Sequence, residues 1–344
     1  MTDSKESIIA THEPEQNAIP SFFAVYLALA RRGLYNIWLF NFSDMKTIVV
    51  PQTLLAITNA KSGQFLLHLS TEMHHPLPSS PSWLTVLYRV PPTLAWIYLN
   101  LLVECVANQR LPGSIQEDSL NKPWRVMPSK LMSPASAEKL LFYLIPTTLI
   151  VSYYMGEMQF KASASLMSFI WLYNDLDGAN SSPIMRNALN AFGLLSFSIG
   201  STAVAVTTKS GHGGGSFAPT AVTWFSILWL AICTTIHAQD FADIAGDKAR
   251  GRCSAPLLYG DSISRWSVAV PVMFWTFAAP AYWGLPWHHI GTPGIIAQAL
   301  VVIVGTCLAV LVVGWNSLQM DTWMWRMWCL WSASLFVLPL FGSD

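Results

Sequence analysis

Residues 239–252 read Gln-Asp-Phe-Ala-Asp-Ile-Ala-Gly-Asp-Lys-Ala-Arg-Gly-Arg and follow directly after a long apolar segment. The spacing of Asp240, Asp243 and Asp247 places the three carboxylates on one face of a helix. Like charges this close repel one another unless a cation neutralises them. Oxygen-rich sites suit Mg²⁺, which binds through a few carboxylates, several waters and substrate phosphates. The motif therefore predicts a magnesium site at the end of a helix.

Basic residues complete this motif. Lys248, Arg250 and Arg252 follow the third aspartate and supply donors for phosphate oxygens. An acidic helix end followed by basic residues also occurs in ordinary solvated loops. Three collinear aspartates immediately after an apolar span favour a site for a metal ion and a phosphate group over that alternative.

The composition around the motif is that of a membrane protein. Of the 344 residues, 53% are hydrophobic and 11% are charged, whereas soluble domains carry about 25% charged residues. The 16 Trp and 17 Phe predict a lipid-facing aromatic belt, because amphipathic rings favour the membrane interface. Zero net charge argues against a nucleic-acid partner. Five cysteines without a CxxC pair predict neither a metal cluster nor a disulfide framework.

Nine apolar segments approach the roughly 20 residues that a membrane span requires. They cover residues 45–57, 92–107, 137–154, 162–173, 188–206, 218–237, 266–283, 294–315 and 323–341. Residues 22–40, with Arg31 and Arg32 in the middle, predict an amphipathic helix on the membrane surface. Residues 1–20 are polar and lack the apolar core of a signal peptide. They predict a disordered cytosolic tail.

Basic residues in the loops set the expected orientation. The loops after the second, fourth and sixth segments, with their immediate flanks, contain Arg110, Lys122, Arg125, Lys130, Lys139, Arg186, Lys248, Arg250, Arg252 and Arg265. The intervening loops hold little more than Lys61, Lys161 and Lys209. By the positive-inside rule, the loops rich in basic residues are cytosolic. The sequence predicts an integral, multi-pass protein whose charged motifs face the cytosol.

A second polar cluster lies four predicted helices before the aspartate motif. Asn100, Glu104 and Asn108 are four residues apart and share one helix face. A carboxylate inside an apolar span is costly and usually faces a cavity or a partner, although Glu104 could simply hydrogen-bond between helices. The following loop contains Gln109, Glu117, Asp118, Asn121, Lys122, Trp124 and Arg125. The recurrence of such clusters predicts two related four-helix halves plus one further helix.

A third polar segment ends the fourth predicted helix. It contains Tyr173, Asp175 and Asp177, and Arg186 opens the next helix. These residues are interpreted either as lining of a pocket or as a polar turn. His237 directly precedes the aspartate motif and is assigned to the same pocket. Two other polar features are interpreted as connectors on the opposite side, namely the glycine-rich residues 211–216 and the pair His288 and His289.

Residues 239–252 resemble the second aspartate motif, DxxDxxxD, of the UbiA superfamily of membrane prenyltransferases. Residues 121–129, Asn-Lys-Pro-Trp-Arg-Val-Met-Pro-Ser, resemble the stretch after that family's first motif, which typically reads RPxxSG. Residues 43–47 resemble the start of its first helix. The similarity spans about residues 41–260. It is strongest to the fungal branch, which includes aromatic prenyltransferases and membrane-bound terpene cyclases.

The first motif departs from the family pattern NDxxDxxxD. Asn108 matches the leading asparagine, but Gln109, Pro112 and Gln116 stand where the family has aspartate. Val126 also replaces the usual proline after the arginine. The carboxylates near this motif are instead Glu104, Glu117 and Asp118. The resemblance therefore leaves open which of them holds the metal.

The resemblance implies an all-α fold, a polytopic bundle of about nine transmembrane helices with a central cavity, as a single domain over residues 21–344. It implies that a prenyl diphosphate binds through Mg²⁺ at the cytosolic end of the cavity, in the membrane of the endoplasmic reticulum. Loss of the diphosphate gives an allylic carbocation. Magnesium and basic side chains stabilise the leaving group, aromatic faces stabilise the cation, and the site must exclude water.

The resemblance and the polar clusters together give a set of predicted site residues. The predicted metal ligands are Glu104, Asn108, Glu117, Asp118, Asp240, Asp243 and Asp247. Of these, the predicted catalytic residues are Asn108, Asp118, Asp240 and Asp243. The predicted diphosphate-binding residues are Lys122, Arg125, Lys130, Arg186, Lys248, Arg250 and Arg252. The predicted pocket residues are Asn100, Tyr173, Asp175 and His237.

Two fates of the carbocation are compatible with this site. A terpene cyclase of secondary metabolism folds the chain of farnesyl or geranylgeranyl diphosphate onto itself, whereas a prenyltransferase captures the cation with an aromatic or other small-molecule acceptor. The altered first motif favours the cyclase, with Trp96, Tyr98, Trp171 and Tyr173 as candidates to guide the cation or, alternatively, to pack against lipid. A transporter also uses repeats and intramembrane polar groups, but that function does not explain why acids and bases cluster on one face.

The charge asymmetry of the loops makes a testable prediction of topology. In a variant without native cysteines, Ser119→Cys is expected to react with a membrane-impermeant thiol reagent applied from the cytosolic side. Lys161→Cys, in a loop of the other set, is expected to react only from the opposite side. The reverse pattern of labelling would show that the predicted orientation is inverted.

Overall fold

The computed structural model describes residues 22–63, 66–67, 80–206, 216–284 and 292–342. The helices of these residues are α1 (Phe22–Phe42), α2 (Val50–Ser62), α3 (Trp83–Gln109), α4 (Pro112–Asn121), α5 (Pro134–Met155), α6 (Glu157–Asn174), α7 (Pro183–Val206), α8 (Pro219–Thr235), α9 (Asp240–Arg250), α10 (Ala255–Tyr259), α11 (Asp261–Tyr282), α12 (Thr292–Gly314) and α13 (Leu318–Leu335). A π-helical turn, Met45–Val49, precedes α2, and a 3₁₀ turn, Ile236–Gln239, joins α8 to α9. The predicted tail of residues 1–20, the pair His288 and His289, and most of residues 211–216 lie outside the described residues.

Two short strands connect distant parts of the chain. Strand β1 (Leu66–Leu67) pairs antiparallel with β2 (Ser216–Phe217), with Leu66 opposite Phe217. The pairing joins the connection after α2 to the connection before α8. Apart from it, the described structure is helical, so the predicted all-α class is confirmed.

Each of the nine predicted apolar segments coincides with a helix. The first falls on the π-helical turn and α2, and the others fall on α3, α5, α6, α7, α8, α11, α12 and α13. The predicted start of the second segment at residue 92 is wrong, because α3 begins at Trp83 and continues through Pro91 and Pro92. Ser82 caps that earlier start by accepting a hydrogen bond from the Thr85 amide. The predicted surface helix is α1.

Four described segments are long and apolar enough to cross a membrane: Trp83–Gln109, Pro183–Val206, Pro219–Arg250 and Pro293–Gly314. The length and the apolar composition of these four segments are those of an integral membrane protein. The outer surface of the bundle is correspondingly apolar, since Phe274 is 60% exposed and Ile303 is 61% exposed. Membrane crossing by the remaining helices stays a prediction.

The tryptophans do not form only a lipid-facing belt, as the composition predicts. Trp96, Trp224, Trp328 and Trp331 are among the largest fully buried side chains. Three of their indole N–H groups donate to hydroxyl groups inside the bundle; Trp96 Nε1, for example, donates to Ser152 Oγ at 3.0 Å. A buried tryptophan is stable where its N–H finds an acceptor, and the small hydroxyl residues of neighbouring helices supply one.

Helix α7 forms the centre of the bundle and packs against α2, α3, α6 and α8. Its contact with α3 depends on Gly200, which faces the ring of Trp96. A Cβ atom at Gly200 would lie 2.0 Å from the Trp96 Cη2 atom. The absence of a side chain at this position therefore sets how closely the two helices approach.

The polar clusters after α3 and α8 each fold as a short helix, α4 and α9. These two helices pack against each other at one end of the bundle. Tertiary structure thereby joins two sequence motifs that are separated by four long helices, and this junction is the base of the candidate site.

The packing of α3 on α7 predicts that Gly200→Ala destabilises the protein. Because the Trp96 ring is fully buried and cannot retreat into solvent, we expect the free energy of unfolding to fall by about 1–3 kcal/mol. Gly193→Ala is the matched control in the same helix, since its Cβ would meet nothing nearer than 3.9 Å. Thermal unfolding in detergent measures both variants. Equal stability of the two would contradict the proposed tight contact.

Candidate active site

Asn121 and Gly246 join the two motif helices. The Asn121 Nδ2 atom donates to the Asp243 carbonyl at 3.0 Å, and its Oδ1 atom accepts from the Gly246 amide at 3.0 Å. A Cβ atom at Gly246 would lie 2.3 Å from Asn121 Nδ2 and 2.6 Å from the Glu117 carbonyl oxygen. The glycine between the aspartates is therefore required by the close approach of α4.

Glu117 of the first motif is held by the basic residues of the second. Its Oε2 atom accepts from Arg252 Nε at 2.6 Å and from Arg250 Nη1 at 3.1 Å. Burial alone would raise the pKa of the Glu117 carboxyl, but the neighbouring arginines, Arg252 first, outweigh burial and lower that pKa. Glu117 is therefore ionised at neutral pH, although it is largely buried.

The three aspartates of the second motif have separate partners. Asp240 is fully buried, and its Oδ1 atom accepts from Arg186 Nη2 at 3.0 Å. Asp243 pairs with Lys122 Nζ at 2.9 Å. Asp247 is also fully buried, and its Oδ1 atom lies 3.5 Å from Arg252 Nε. Among the described residues no three acidic, histidine or cysteine side chains form a ready metal-binding group, so the sequence motif does not translate into a preformed three-carboxylate cage.

Several buried polar atoms nevertheless have no hydrogen-bond partner among the residues that the structure describes. They are Asp240 Oδ2, both carboxylate oxygens of Asp247, and Arg252 Nη1. Unpaired buried polar groups are costly and call for an explanation such as a missing ion. Mg²⁺ prefers oxygen ligands and uses few protein carboxylates beside substrate phosphates. The unpaired carboxylate oxygens fit a bound cation, and the unpaired guanidinium nitrogen fits a bound anion.

Arg125 forms a second buried cluster. Its Nη1 atom lies 3.1 Å from both oxygens of Asp118, its Nη2 atom lies 3.6 Å from Asp44, and its Nε atom donates to Ser43. Burial raises the pKa of the Asp118 carboxyl despite the Arg125 guanidinium. Burial would lower the pKa of Arg125, but Asp118 and Asp44 outweigh it and raise that pKa. Asp118 lies behind Arg125 and is not among the residues that line the cavity.

A cavity of about 440 Å³ extends from these clusters into the bundle. Along α7 its lining changes from Arg186 near the start of the helix to Leu194 and Phe197 further along, and along α6 it changes from Asn174 back to Leu166. The first and last of these α7 positions are separated by roughly 16 Å of helix. The cavity therefore has a charged end at the motif helices and an apolar end inside the bundle.

Aromatic rings form part of the apolar wall and are held by further rings. Phe169 stacks on Phe192 with centroids 4.9 Å apart, and Trp325 stacks on Trp328 at 4.9 Å. Phe197 meets Trp96 edge to face. Among the predicted aromatic guides only Tyr173 lines the cavity. Trp96 is buried behind the wall, Trp171 is exposed on the outer surface, and Tyr98 is partly buried beside α1.

The structure brings together some of the predicted site residues. The predicted residues that line the cavity are Glu104, Asn108, Glu117, Lys122, Arg125, Tyr173, Arg186, Asp243 and Arg252. Those buried behind the lining are Asn100, Asp118, His237, Asp240 and Asp247. Arg250 pairs with Glu117 but does not line the cavity. Lys130 and Lys248 are exposed, and Asp175 pairs with Arg110 outside this cavity.

Some lining residues are not identified by the motif analysis. Asp44 and Lys46 line the cavity from the π-helical turn, and Asn174 and Gln239 line it from the ends of α6 and the 3₁₀ turn. π-Helical turns often occur at functional sites. The signal for Asp44 and Lys46 is the resemblance of residues 43–47 to the start of a family helix. Asn174 lies in the third polar segment and Gln239 begins the second motif, although neither is among the predicted site residues.

Comparison with known proteins shows which family the chain resembles in sequence. The model of the UbiA prenyltransferase family matches residues 78–331. The fumagillin beta-trans-bergamotene synthase of Aspergillus fumigatus is 28% identical over 309 residues, which cover 90% of this chain and 92% of that protein. The diterpene cyclase of Hericium erinaceus is 24% identical over 244 residues, covering 70% of this chain and 69% of that protein.

Solved structures of known proteins share the fold. A UbiA homolog from Archaeoglobus fulgidus bound to GPP and Mg²⁺ matches with a TM-score of 0.55 and 11% identity, covering 88% of this chain and 99% of that one. At this level of identity the likeness shows a common fold.

The buried pair of Glu117 and Arg252 predicts that Arg252→Met destabilises the protein. Removal of Arg252 takes away one of the positive charges that neutralise the buried Glu117 carboxylate. We therefore expect the free energy of unfolding to fall by about 3 kcal/mol. Lys161→Met is the control, because its pair with Glu157 is exposed and contributes little. The measurement is thermal unfolding in detergent. An unchanged unfolding midpoint for Arg252→Met would contradict the compensating role of this arginine.

Proposed function

Because the chain belongs to the UbiA prenyltransferase family, we propose that it is a Mg²⁺-dependent terpene cyclase. The family match identifies an enzyme that acts on prenyl diphosphates, which argues against the transporter interpretation. The observation that carries the proposal is one continuous cavity that has charged residues at one end and fixed aromatic rings in its wall at the other. A relative that matches across nine-tenths of this chain is a terpene synthase by name.

The charged end of the cavity suits a diphosphate together with a divalent cation. Its lining contains the acids Asp44, Glu104, Glu117 and Asp243 and the bases Lys46, Lys122, Arg125, Arg186 and Arg252. Basic residues thus exceed acidic residues by one. A diphosphate ester carries about two to three negative charges at neutral pH. The protein alone does not balance that charge, so additional cations are required.

The residues that would hold Mg²⁺ are Asp243, Glu117 and Asn108 in the lining, supported by Asp240 and Asp247 behind them. When bound, the metal stabilises the negative charge that develops on the departing diphosphate. Lys122 and Arg252 donate to the same oxygens, and Arg252 has an unpaired Nη1 donor. Lys122 would exchange its present pairing with Asp243 for the incoming diphosphate.

The apolar end of the cavity suits the prenyl chain and the carbocation. The faces of Phe169, Phe197 and Trp325 can stabilise a cation through their quadrupoles. Tyr173 adds a ring nearer the charged end, where its hydroxyl accepts a hydrogen bond from Arg186 Nη1 at 3.0 Å. Neighbouring rings fix the first three in place, which restricts the conformations in which the chain can fold. The surrounding aliphatic residues exclude water, which would otherwise quench the cation. These features favour ring closure within the substrate.

The remaining parts of the proposal concern the substrate, the domain and the location. We expect farnesyl or geranylgeranyl diphosphate as substrate in secondary metabolism, and one UbiA-like domain over residues 21–344. We place the protein in the membrane of the endoplasmic reticulum with the charged end of the cavity toward the cytosol. The loop charges and the four apolar spans support a membrane location.

The proposal predicts a cyclic terpene and free diphosphate from a single substrate. Purified protein with Mg²⁺ is incubated with farnesyl or geranylgeranyl diphosphate without an acceptor, and the extract is analysed by gas chromatography and mass spectrometry. EDTA is expected to abolish the reaction. Asp243→Asn is expected to lower the rate by on the order of 100-fold or more, whereas Glu157→Gln, an exposed carboxylate outside the cavity, keeps the wild-type rate.

Two outcomes would overturn this proposal. If no terpene appears above a heat-killed control and an added phenolic acceptor yields a prenylated product, the protein is a prenyltransferase. If full activity survives EDTA, the diphosphate is not held through a metal ion.

A further inference from the structure

A second cavity, of about 350 Å³, lies between α3, α5 and α6. Ile170 lines both this cavity and the one described above. The proposed cyclisation uses none of the other residues of the second cavity, which we call the α3–α5–α6 groove. Its lining contains Val103, Ala107, Arg110, Glu138, Leu141, Phe142, Ile145, Met167, Ile170, Trp171 and Asp175.

The groove changes from charged to apolar along all three helices. Its charged residues are Arg110 after the end of α3, Glu138 near the start of α5, and Asp175 after the end of α6. The lining then continues along each helix to Val103, Ile145 and Met167. Seven to eight residues of helix span roughly 10–12 Å. A ligand that fills this groove therefore has a charged head and an apolar tail that extends roughly 10–12 Å along the helices.

The charges at the head of the groove select the sign of the ligand. Arg110 forms an ion pair with Asp175, and its Nε atom is buried without a hydrogen-bond partner. Glu138 is exposed and has no ion-pair partner among the described residues. The head of the groove carries one positive and two negative charges. A net negative charge disfavours a prenyl diphosphate or an anionic lipid.

A ligand with both an ammonium group and a phosphate group complements this arrangement. The free carboxylate of Glu138 and the ring of Trp171, which is 55% exposed, both attract an ammonium group. Arg110 offers its unpaired Nε–H to a phosphate oxygen. The apolar side chains of Leu141, Phe142 and their neighbours offer a surface to an acyl chain.

We propose that the α3–α5–α6 groove is a binding site for a zwitterionic phospholipid, with its ammonium group at Glu138 and Trp171 and its phosphate at Arg110. The site does not depend on the proposed cyclisation. Ile170 connects the two cavities, so a bound acyl chain packs against the wall of the catalytic cavity.

The test is the headgroup preference of the purified full-length protein after removal of lipid. Native mass spectrometry compares how much phosphatidylethanolamine, which is zwitterionic, and phosphatidylglycerol, which is anionic, the protein retains when the two lipids have identical acyl chains. The wild-type protein is expected to retain more phosphatidylethanolamine than phosphatidylglycerol. Glu138→Lys changes the head of the groove to two positive charges and one negative charge. One juxtamembrane charge changes lipid affinity by about fivefold, so we expect Glu138→Lys to reverse the preference toward phosphatidylglycerol.

Glu157→Lys is the matched control, because it makes the same change of charge at an exposed carboxylate at the opposite end of α6. We expect it to keep the wild-type preference. The proposal is wrong if the wild-type protein prefers the anionic lipid or retains neither lipid. It is also wrong if the two variants shift the preference equally, or if Glu138→Lys leaves it unchanged. None of these measurements uses catalytic activity, so they separate this proposal from the cyclase assignment.

Discussion

The structure depends on the compensation of charge that is buried at one end of an apolar bundle. An ionised side chain removed from water without a partner costs several kcal/mol, on the order estimated for buried ions after relaxation. Here Glu117 is paired with Arg252, Asp240 with Arg186, and Asp118 with Arg125. The Asp240–Arg186 pair joins α9 to α7, and the Glu117–Arg252 pair joins α4 to the segment that follows α9. Because the acids of one motif need the bases of another, the motif helices must pack together, and the charged end of the cavity follows from that packing.

The pairing of buried charged groups is incomplete at the positions where a bound substrate and its cation could supply the missing partners. Within the described part of the chain, Asp240 Oδ2, Arg252 Nη1 and both carboxylate oxygens of Asp247 are buried without a hydrogen-bond partner, although Asp240 Oδ1 and Arg252 Nε are paired. Fully satisfied pairs fix the helices, and partly satisfied pairs leave ligand positions for a cation and an anion. The same residues can therefore support the fold and bind a metal diphosphate. A cavity lined by nearly equal numbers of acids and bases would otherwise attract neither ion strongly.

The apolar end of the cavity follows a different physical rule. Its selectivity for one conformation of the prenyl chain depends on rigid packing of the cavity wall. Three wall rings each pack against a second ring, in the pairs Phe169–Phe192, Trp325–Trp328 and Phe197–Trp96. Trp96 in turn occupies the space that Gly200 leaves open. A residue without a side chain in α7 thus fixes a ring behind the cavity wall. The shape of the cavity depends on this packing as much as on its lining.

The sequence by itself determined the helical class, the approximate positions of the long helices and the charged residues of the two motifs, because apolar runs and carboxylate spacing are local properties. Residues 240–247 predicted an acidic helix face, and α9 has it. Only the tertiary structure decided that Asp243 lines the cavity while Asp240 and Asp247 lie behind it, and that Lys130 and Lys248 point away. It also placed Asp44 and Asn174, which are distant in sequence, in the lining of the same cavity. Those outcomes depend on how α4, α6, α7 and α9 pack around one cavity, and the spacing of residues along a single helix carries no information about that packing.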